Sequence, residues 1–535
     1  MMRFGRREFF GITGGAALVA ATSSLGLLSL GPSGSTGTLL RSEVPLPQPF
    51  SRPLVVPPIA EPSIGSDGYR ITARVAKAEI IPGLQTEIWG YDGCFPGPTI
   101  RARSGRGVTV DVVNELPVPT VVHLHGGRTP ATSDGYPTDL ILPADRTADW
   151  TTRHAGNTVI GRREYRYPLQ QRASTLWYHD HTMDFTGPNV YRGLAGFFLV
   201  GDDEDDALPL PHGDRDLPLL VCDRSFAADG SLRYPAVSAD QTQPGVQTAF
   251  MGGVLGDVVL VNGVPWPQHE VDGARYRLRL LNASNARRFE FALDPPPPGG
   301  SPFVQIAGDG GLLAAPLARE SITLASAERA EVVVDFGAYP IGSTVTLTNR
   351  LGSGTTAVVL RFHIVRAAAD DTTIPDVLSQ LEPLTRSQAS TVRTFAFQLR
   401  RGSAPAAAAG PGGTGSHGAH EVDPGIGSLM WMINGQMFDP TVDLATPRLG
   451  DVEIWRLMTD LHHPVHLHLA PFQVLERGGG RPGPSDAGWK DTIDLIPGQT
   501  AEIITRFDGY PGRYVFHCHN LEHEDMAMMA NFSVS

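Results

Sequence analysis

Cysteine is nearly absent from this chain, with only Cys94, Cys222 and Cys518 in 535 residues. That scarcity excludes a disulfide-dependent fold, and an odd number leaves one thiol unpaired whatever the others do. Basic charge is also short, 43 Lys and Arg against 56 Asp and Glu for a net charge of −13. The deficit argues against nucleic acid or an anionic membrane surface as partner and leaves small molecules or metal ions. Long apolar runs are missing too. The most apolar stretch, from about Ile12 to Leu30, is Gly/Ala-rich and too weak for a membrane anchor. Glycine and proline, by contrast, are plentiful at 60 and 45. They point to many short strands joined by turns, hence an all-β protein, and the length fits roughly three or four domains.

The chain opens with Arg6-Arg7-Glu8-Phe9-Phe10 ahead of that weakly apolar run. This resembles a twin-arginine export signal, so residues 1–44 read as a leader. The expected location is outside the cytoplasm, periplasmic or extracellular, with no stable membrane insertion once the signal is removed. An ordinary secretory signal with two arginines is the other reading. Twin-arginine export carries folded proteins, which suits a chain that must protect a reactive thiolate until metal is bound.

The carboxy-terminal stretch carries His517-Cys518-His519, then His523, then Met528. On a strand, His517 and His519 point one way and Cys518 the other. A thiolate with two imidazoles and a distant thioether is the ligand set of a blue-copper electron-transfer centre, and Cys518, His523 and Met528 supply three of the four. The flanking histidines must serve something on the opposite face. His-x-His recurs at His123/His125, His179/His181 and His466/His468, whereas 17 histidines in 535 residues would give about half such a pair by chance. Four strands thus present eight imidazoles, too many for one ion and suited to a cluster of about three coppers. His463 stands at odd parity to His466, faces away from that cluster, and is free to be the second imidazole beside Cys518. His154, His212, His269, His363 and His462 read as hydrogen-bonded packing residues, and His417 and His420 as solvated.

These residues resemble the multicopper oxidases: His-Leu-His-Gly at 123–126, Trp-Tyr-His-Asp-His at 177–181, His-Pro-Val-His-Leu-His at 463–468 and His-Cys-His through Met528 at 517–528. The resemblance implies three cupredoxin-like Greek-key β-sandwich domains and four coppers. A type 1 copper would sit on His463, Cys518, His523 and Met528, and a type 2 copper on His123 and His466. A type 3 pair would sit on His125, His179, His181, His468, His517 and His519. Leu469 departs from the glycine that many members carry there. The resemblance further implies electron entry at an exposed His523, passage through Cys518 to His517 or His519, and proton supply by Glu524 and Asp134. Among the subfamilies, spore-coat laccase and phenoxazinone synthase look nearest. The expected partners are therefore a small aromatic reductant, phenolic or aminophenolic, and O2. Bilirubin oxidase is a neighbouring alternative. Oxidation of cuprous or other metal ions is a second one, although the methionine-rich insertion that such enzymes carry is replaced here by Ala, Gly and Pro. A copper-free division or scaffold relative is the non-enzyme alternative, at odds with the complete set of ligands.

Three blocks follow the leader, at 45–205, 206–375 and 376–535. An acidic run from Asp202 to Asp206 reads as a linker and 402–420 as a flexible loop. The second block holds no clustered ligands and reads as a spacer. Val261-Asn262-Gly263 and Ile433-Asn434-Gly435 look like an internal repeat. The outer blocks carry two His-x-His strands each, so the cluster is expected between them. Cys94 and Cys222 are the only pair left to bridge, in apolar settings where a free thiol packs equally well.

Overall fold

The computed structural model describes residues 36–145, 156–401 and 429–535. The Arg6-Arg7 segment read as an export signal, His154, His417, His420 and the tract at 402–420 lie outside the described residues. Strands dominate the described residues, and the α-helices there are short: Thr186–Arg192, Asp203–Asp206 and Leu521–Asp525. The acidic run expected as a linker forms the second of these, with the Asp202 side chain accepting from the Asp205 amide at its start.

Most strands form three β-sandwiches of two sheets each, with four and four, seven and five, and five and five strands, and two further sheets have two strands each. Each sandwich opens the same way. Gly68–Ala78, Asp216–Arg224 and Thr391–Arg401 each pair antiparallel with one following strand and parallel with a later one, the crossover of a Greek key. The turn after the second strand is built alike in all three. Asn262 and Gly263 have φ of 50° and 80°, and Asn434 and Gly435 have 52° and 75°, the left-handed pair of a type I′ turn. Asn262 accepts from the Leu220 amide and donates to Pro218 O; Asn434 accepts from the Ala396 amide and donates to Thr394 O. The first sandwich repeats this with Asp92-Gly93, where Asp92 accepts from the Thr72 amide. Reading only Asn-Gly in the sequence finds two of the three, because aspartate accepts the same bond but cannot donate the second.

The largest apolar core joins Trp177, Phe197 and Leu199 of the first sandwich to strands of the second, so these two are fused through buried side chains. Cys222 is buried in that core, and both it and Cys94 are free thiols. The ligand-bearing strands are neighbours in pairs. Val122–His125 lies antiparallel to Ser174–Asp180 with His123 opposite His179, and His463–Leu467 lies antiparallel to Gly512–Cys518 with His466 opposite His517. The two pairs face each other across the junction of the first and third sandwiches.

Candidate metal centres

Cys518, His463, His523 and Met528 are all buried, and the Cys518 amide donates to Met528 O at 3.1 Å. His463 Nδ1 lies 3.3 Å and His523 Nδ1 3.5 Å from Cys518 Sγ, and the two nitrogens are 3.2 Å apart. The far nitrogens are already engaged: His463 Nε2 is 3.2 Å from Asp460 Oδ1, and His523 Nε2 is 3.2 Å from Gly252 O. Each ring is thereby turned to present Nδ1 to the sulfur. Burial pushes the Cys518 thiol well above its ordinary pKa, so a thiolate there needs a cation in place of the proton.

His523 was expected to be exposed, and the structure corrects this. Its ring is buried, with Trp431 stacked on it at 3.6 Å between centroids and the Gly252 carbonyl closing the Nε2 edge. The covering groups come from the Leu429–Ile433 strand and from the second sandwich, far from His523 in sequence. Strand parity near His523 could not have indicated either.

On the opposite face of the Cys518 strand the eight cluster histidines are all buried. His181, His468 and His517 form one group, with His517 Nε2 at 3.3 Å from His181 Nε2 and 3.2 Å from His468 Nε2. His125, His179 and His519 form a second, with ring centroids 5.1 to 5.7 Å apart. His123 and His466 meet through Nε2 atoms 3.4 Å apart. Burial lowers the pKa of His179 to about 3 and of His181 to about 4, with the neighbouring imidazoles adding to the effect. Neutral rings keep a lone pair free for metal. His125 Nδ1, His179 Nε2 and both His519 nitrogens have no hydrogen-bond partner although buried. Orphaned, converging imidazole nitrogens are costly unless a cation satisfies them, so the donor set fits copper.

The remaining ring nitrogens are held by the protein. His123 Nδ1 lies 2.5 Å from Asp134 O, His179 Nδ1 2.8 Å from Asp180 O, and His466 Nδ1 2.8 Å from Asp491 O. Asp134 Oδ2 is 2.8 Å from His468 Nδ1, and burial raises this carboxyl to about 8. Glu524 sits between two rings, 3.1 Å from His517 Nδ1 and 3.5 Å from His181 Nδ1. Burial alone would raise Glu524, but His517 and His181 hold it down at about 2. Both acids singled out in the sequence therefore touch cluster histidines, on different rings. His462, read as a packing residue, is buried with Nε2 2.6 Å from Asp494 Oδ1. Sequence reasoning missed Asp491, whose Oδ1 is 3.1 Å from His125 Nε2, and Arg329, which grips Asp491. Neither lies in a ligand motif or has a spacing that marks it.

Three β-sandwiches that join a thiol–imidazole site to an eight-imidazole pocket through one strand define a copper-binding oxidoreductase. Models of the multicopper oxidase family match residues 72–205 and 416–535. The chain is 35% identical to a laccase of Bacillus stratosphericus, over 90% of this chain and 98% of that one. It is 33% identical to a bilirubin oxidase of Albifimbria verrucaria, over 91% and 81%. The crystal structure of a laccase from Pediococcus acidilactici superposes with a TM-score of 0.76 at 28% identity, covering 93% of this chain and 96% of that one. The chain belongs to the multicopper oxidases.

Proposed function

We propose that the protein takes single electrons from phenolic or aminophenolic donors at the Cys518 site and reduces dioxygen to water at the histidine cluster, with four coppers per chain. One observation carries this reading: the two neighbours of Cys518 part company, His517 joining His181 and His468, His519 joining His125 and His179. A single strand thus reaches both halves of the cluster and the thiol site, with no residue intervening on either side of Cys518.

In this reading His463, Cys518, His523 and Met528 hold the electron-accepting copper, His123 and His466 hold the type 2 ion, and the two groups of three hold the type 3 pair. Copper bound there supplies one-electron redox chemistry and the four-electron reduction of dioxygen. The chain's own residues do the rest. Asp460 and Gly252 turn His463 and His523 toward the sulfur. Glu524, in contact with His517 and His181, and Asp134, on His468, carry protons to that group of three. Trp431, itself buried, stacks on His523 and helps fix its ring. Export through the twin-arginine segment, to the periplasm or cell exterior, completes the proposal.

The test is to load the purified protein with copper, record its visible spectrum, and follow oxygen uptake with phenol, 2-aminophenol, bilirubin and Cu(I) in parallel. The expected result is a blue band with fastest uptake on the phenolic and aminophenolic donors, and loss of both band and uptake in Cys518→Ser. Absence of the blue band overturns the reading. Uptake on Cu(I) matching the organic donors overturns the substrate class.

A further inference from the structure

The central sandwich contributes none of the ligands, yet it reaches the histidine cluster through one side chain. Arg329, at the start of the Arg329–Asp335 strand, is fully buried. Its Nη1 donates to Asp491 Oδ1 at 2.7 Å and its Nη2 to Asp491 Oδ2 at 2.5 Å, a bidentate fork. The remaining donors are fixed as well: Nε donates to Thr175 O at 2.9 Å, Nη2 also to Asp309 O at 3.0 Å, and the amide to Asp309 Oδ1 at 2.7 Å. Thr175 belongs to the first sandwich and Asp491 to the third, so one guanidinium ties all three together directly behind the cluster.

Asp491 Oδ1, held by that fork and by the Thr492 hydroxyl at 2.9 Å, lies 3.1 Å from His125 Nε2. His125 is thereby turned the opposite way to His123, His179, His466 and His468, whose Nδ1 atoms are engaged and whose Nε2 atoms face the cluster. In His125 Nε2 is engaged, and the buried Nδ1 is left without a partner on the cluster side. Asp491 could be mistaken for a metal ligand, since it stands within reach of His125 and His466. Both of its oxygens, however, are committed to Arg329. Gly126 shows how close the packing is: a Cβ there would come within 2.7 Å of Asp491 Oδ2 and 2.8 Å of Arg329 Nη2. The glycine after His125, at φ 82°, is required by this ion pair as well as by its backbone angle.

We propose that Arg329 of the central sandwich is a positioning residue for the histidine cluster: acting through Asp491, it fixes the ring of His125 so that Nδ1 is the atom offered to metal. The proposal rests on the cluster binding copper as set out above. It makes the second sandwich part of the dioxygen-reducing site, beyond its expected role as a spacer.

The test compares native protein with Arg329→Lys, which keeps the buried charge but loses the fork, and Arg329→Gln, which loses both. Each is loaded with copper and titrated with a competing chelator, and the EPR spectrum of the bound copper is recorded beside the blue band of the Cys518 site. The expected result is an unchanged blue band, cluster copper held about 10- to 100-fold more weakly, and an altered EPR spectrum of the cluster copper, milder in Arg329→Lys than in Arg329→Gln. Should Arg329→Gln fail to fold, Arg329→Lys decides alone, its blue band reporting an intact third sandwich. Native affinity and a native EPR spectrum in Arg329→Lys and in any folded Arg329→Gln overturn the proposal. Native protein that binds copper only at Cys518 overturns instead the reading of the cluster on which it stands.

Discussion

Glu524 and Leu469 show what a single position can and cannot disclose. Glu524 directly follows His523, yet its carboxylate reaches over to His517 and His181, because the short helix Leu521–Asp525 turns it back toward the strand. Glu524→Gln keeps the shape and removes the proton carrier. The expected outcome is dioxygen consumption slowed by about 100-fold with the blue band intact, measured by oxygen electrode and absorbance on the same sample. Leu469 occupies φ 65°, a left-handed angle that favours glycine and costs a leucine about 1–2 kcal/mol. The side chain is buried in the third core, and the neighbour that makes room is itself a glycine: a Cβ on Gly509 would approach Leu469 Cδ1 to 2.8 Å. Burial of a leucine contributes about 1.5–3 kcal/mol, enough to offset the strain.

At the scale of elements, alternation along a strand is a local rule, and it served well. It separated Cys518 from His517 and His519 and set His463 apart from His466 and His468, and the structure places them accordingly. Turn chemistry was legible for the same reason. Asn262 and Asn434 make matching pairs of backbone bonds, but Asn262 is buried and Asn434 exposed. An unmade bond costs more where water cannot replace it. Asn262→Ala is therefore expected to lower stability by about 2–3 kcal/mol and Asn434→Ala by about 1 kcal/mol, compared by urea denaturation of the metal-free proteins. Equal losses would show that the turn backbone, and not the side-chain bonds, sets the cost.

Across the whole molecule, the cluster exists only where the first and third sandwiches meet, so metal and tertiary structure stabilise each other. Copper loading is expected to raise the thermal unfolding midpoint by about 5 °C or more, and chelation to reverse this, as scanning calorimetry at fixed copper would show. Loading also moves protons in a definite direction. Burial lowers His179 and His181 to about 3 and 4, so these rings are neutral at pH 7 and have no proton to give up. Burial raises the Cys518 thiol, so it holds its proton until metal displaces it. Native protein is expected to release about one proton per chain more than Cys518→Ser when both are loaded in unbuffered solution near pH 7, read by pH-stat. The same number of protons from both would place the thiolate before metal binding.

The sequence by itself determined the inventory of candidate ligands and which of them share a face, because the two-residue period of a strand and the spacing of His-x-His pairs act over a few residues. It also determined the all-β class, through glycine, proline and turn signals. Only the tertiary structure decided which imidazoles stand together, that Trp431 and Gly252 bury His523, and that Arg329 holds Asp491 against His125. These depend on side chains brought together from hundreds of residues apart. His125 and Asp491 are separated by 366 positions, and no local period carries information over that distance.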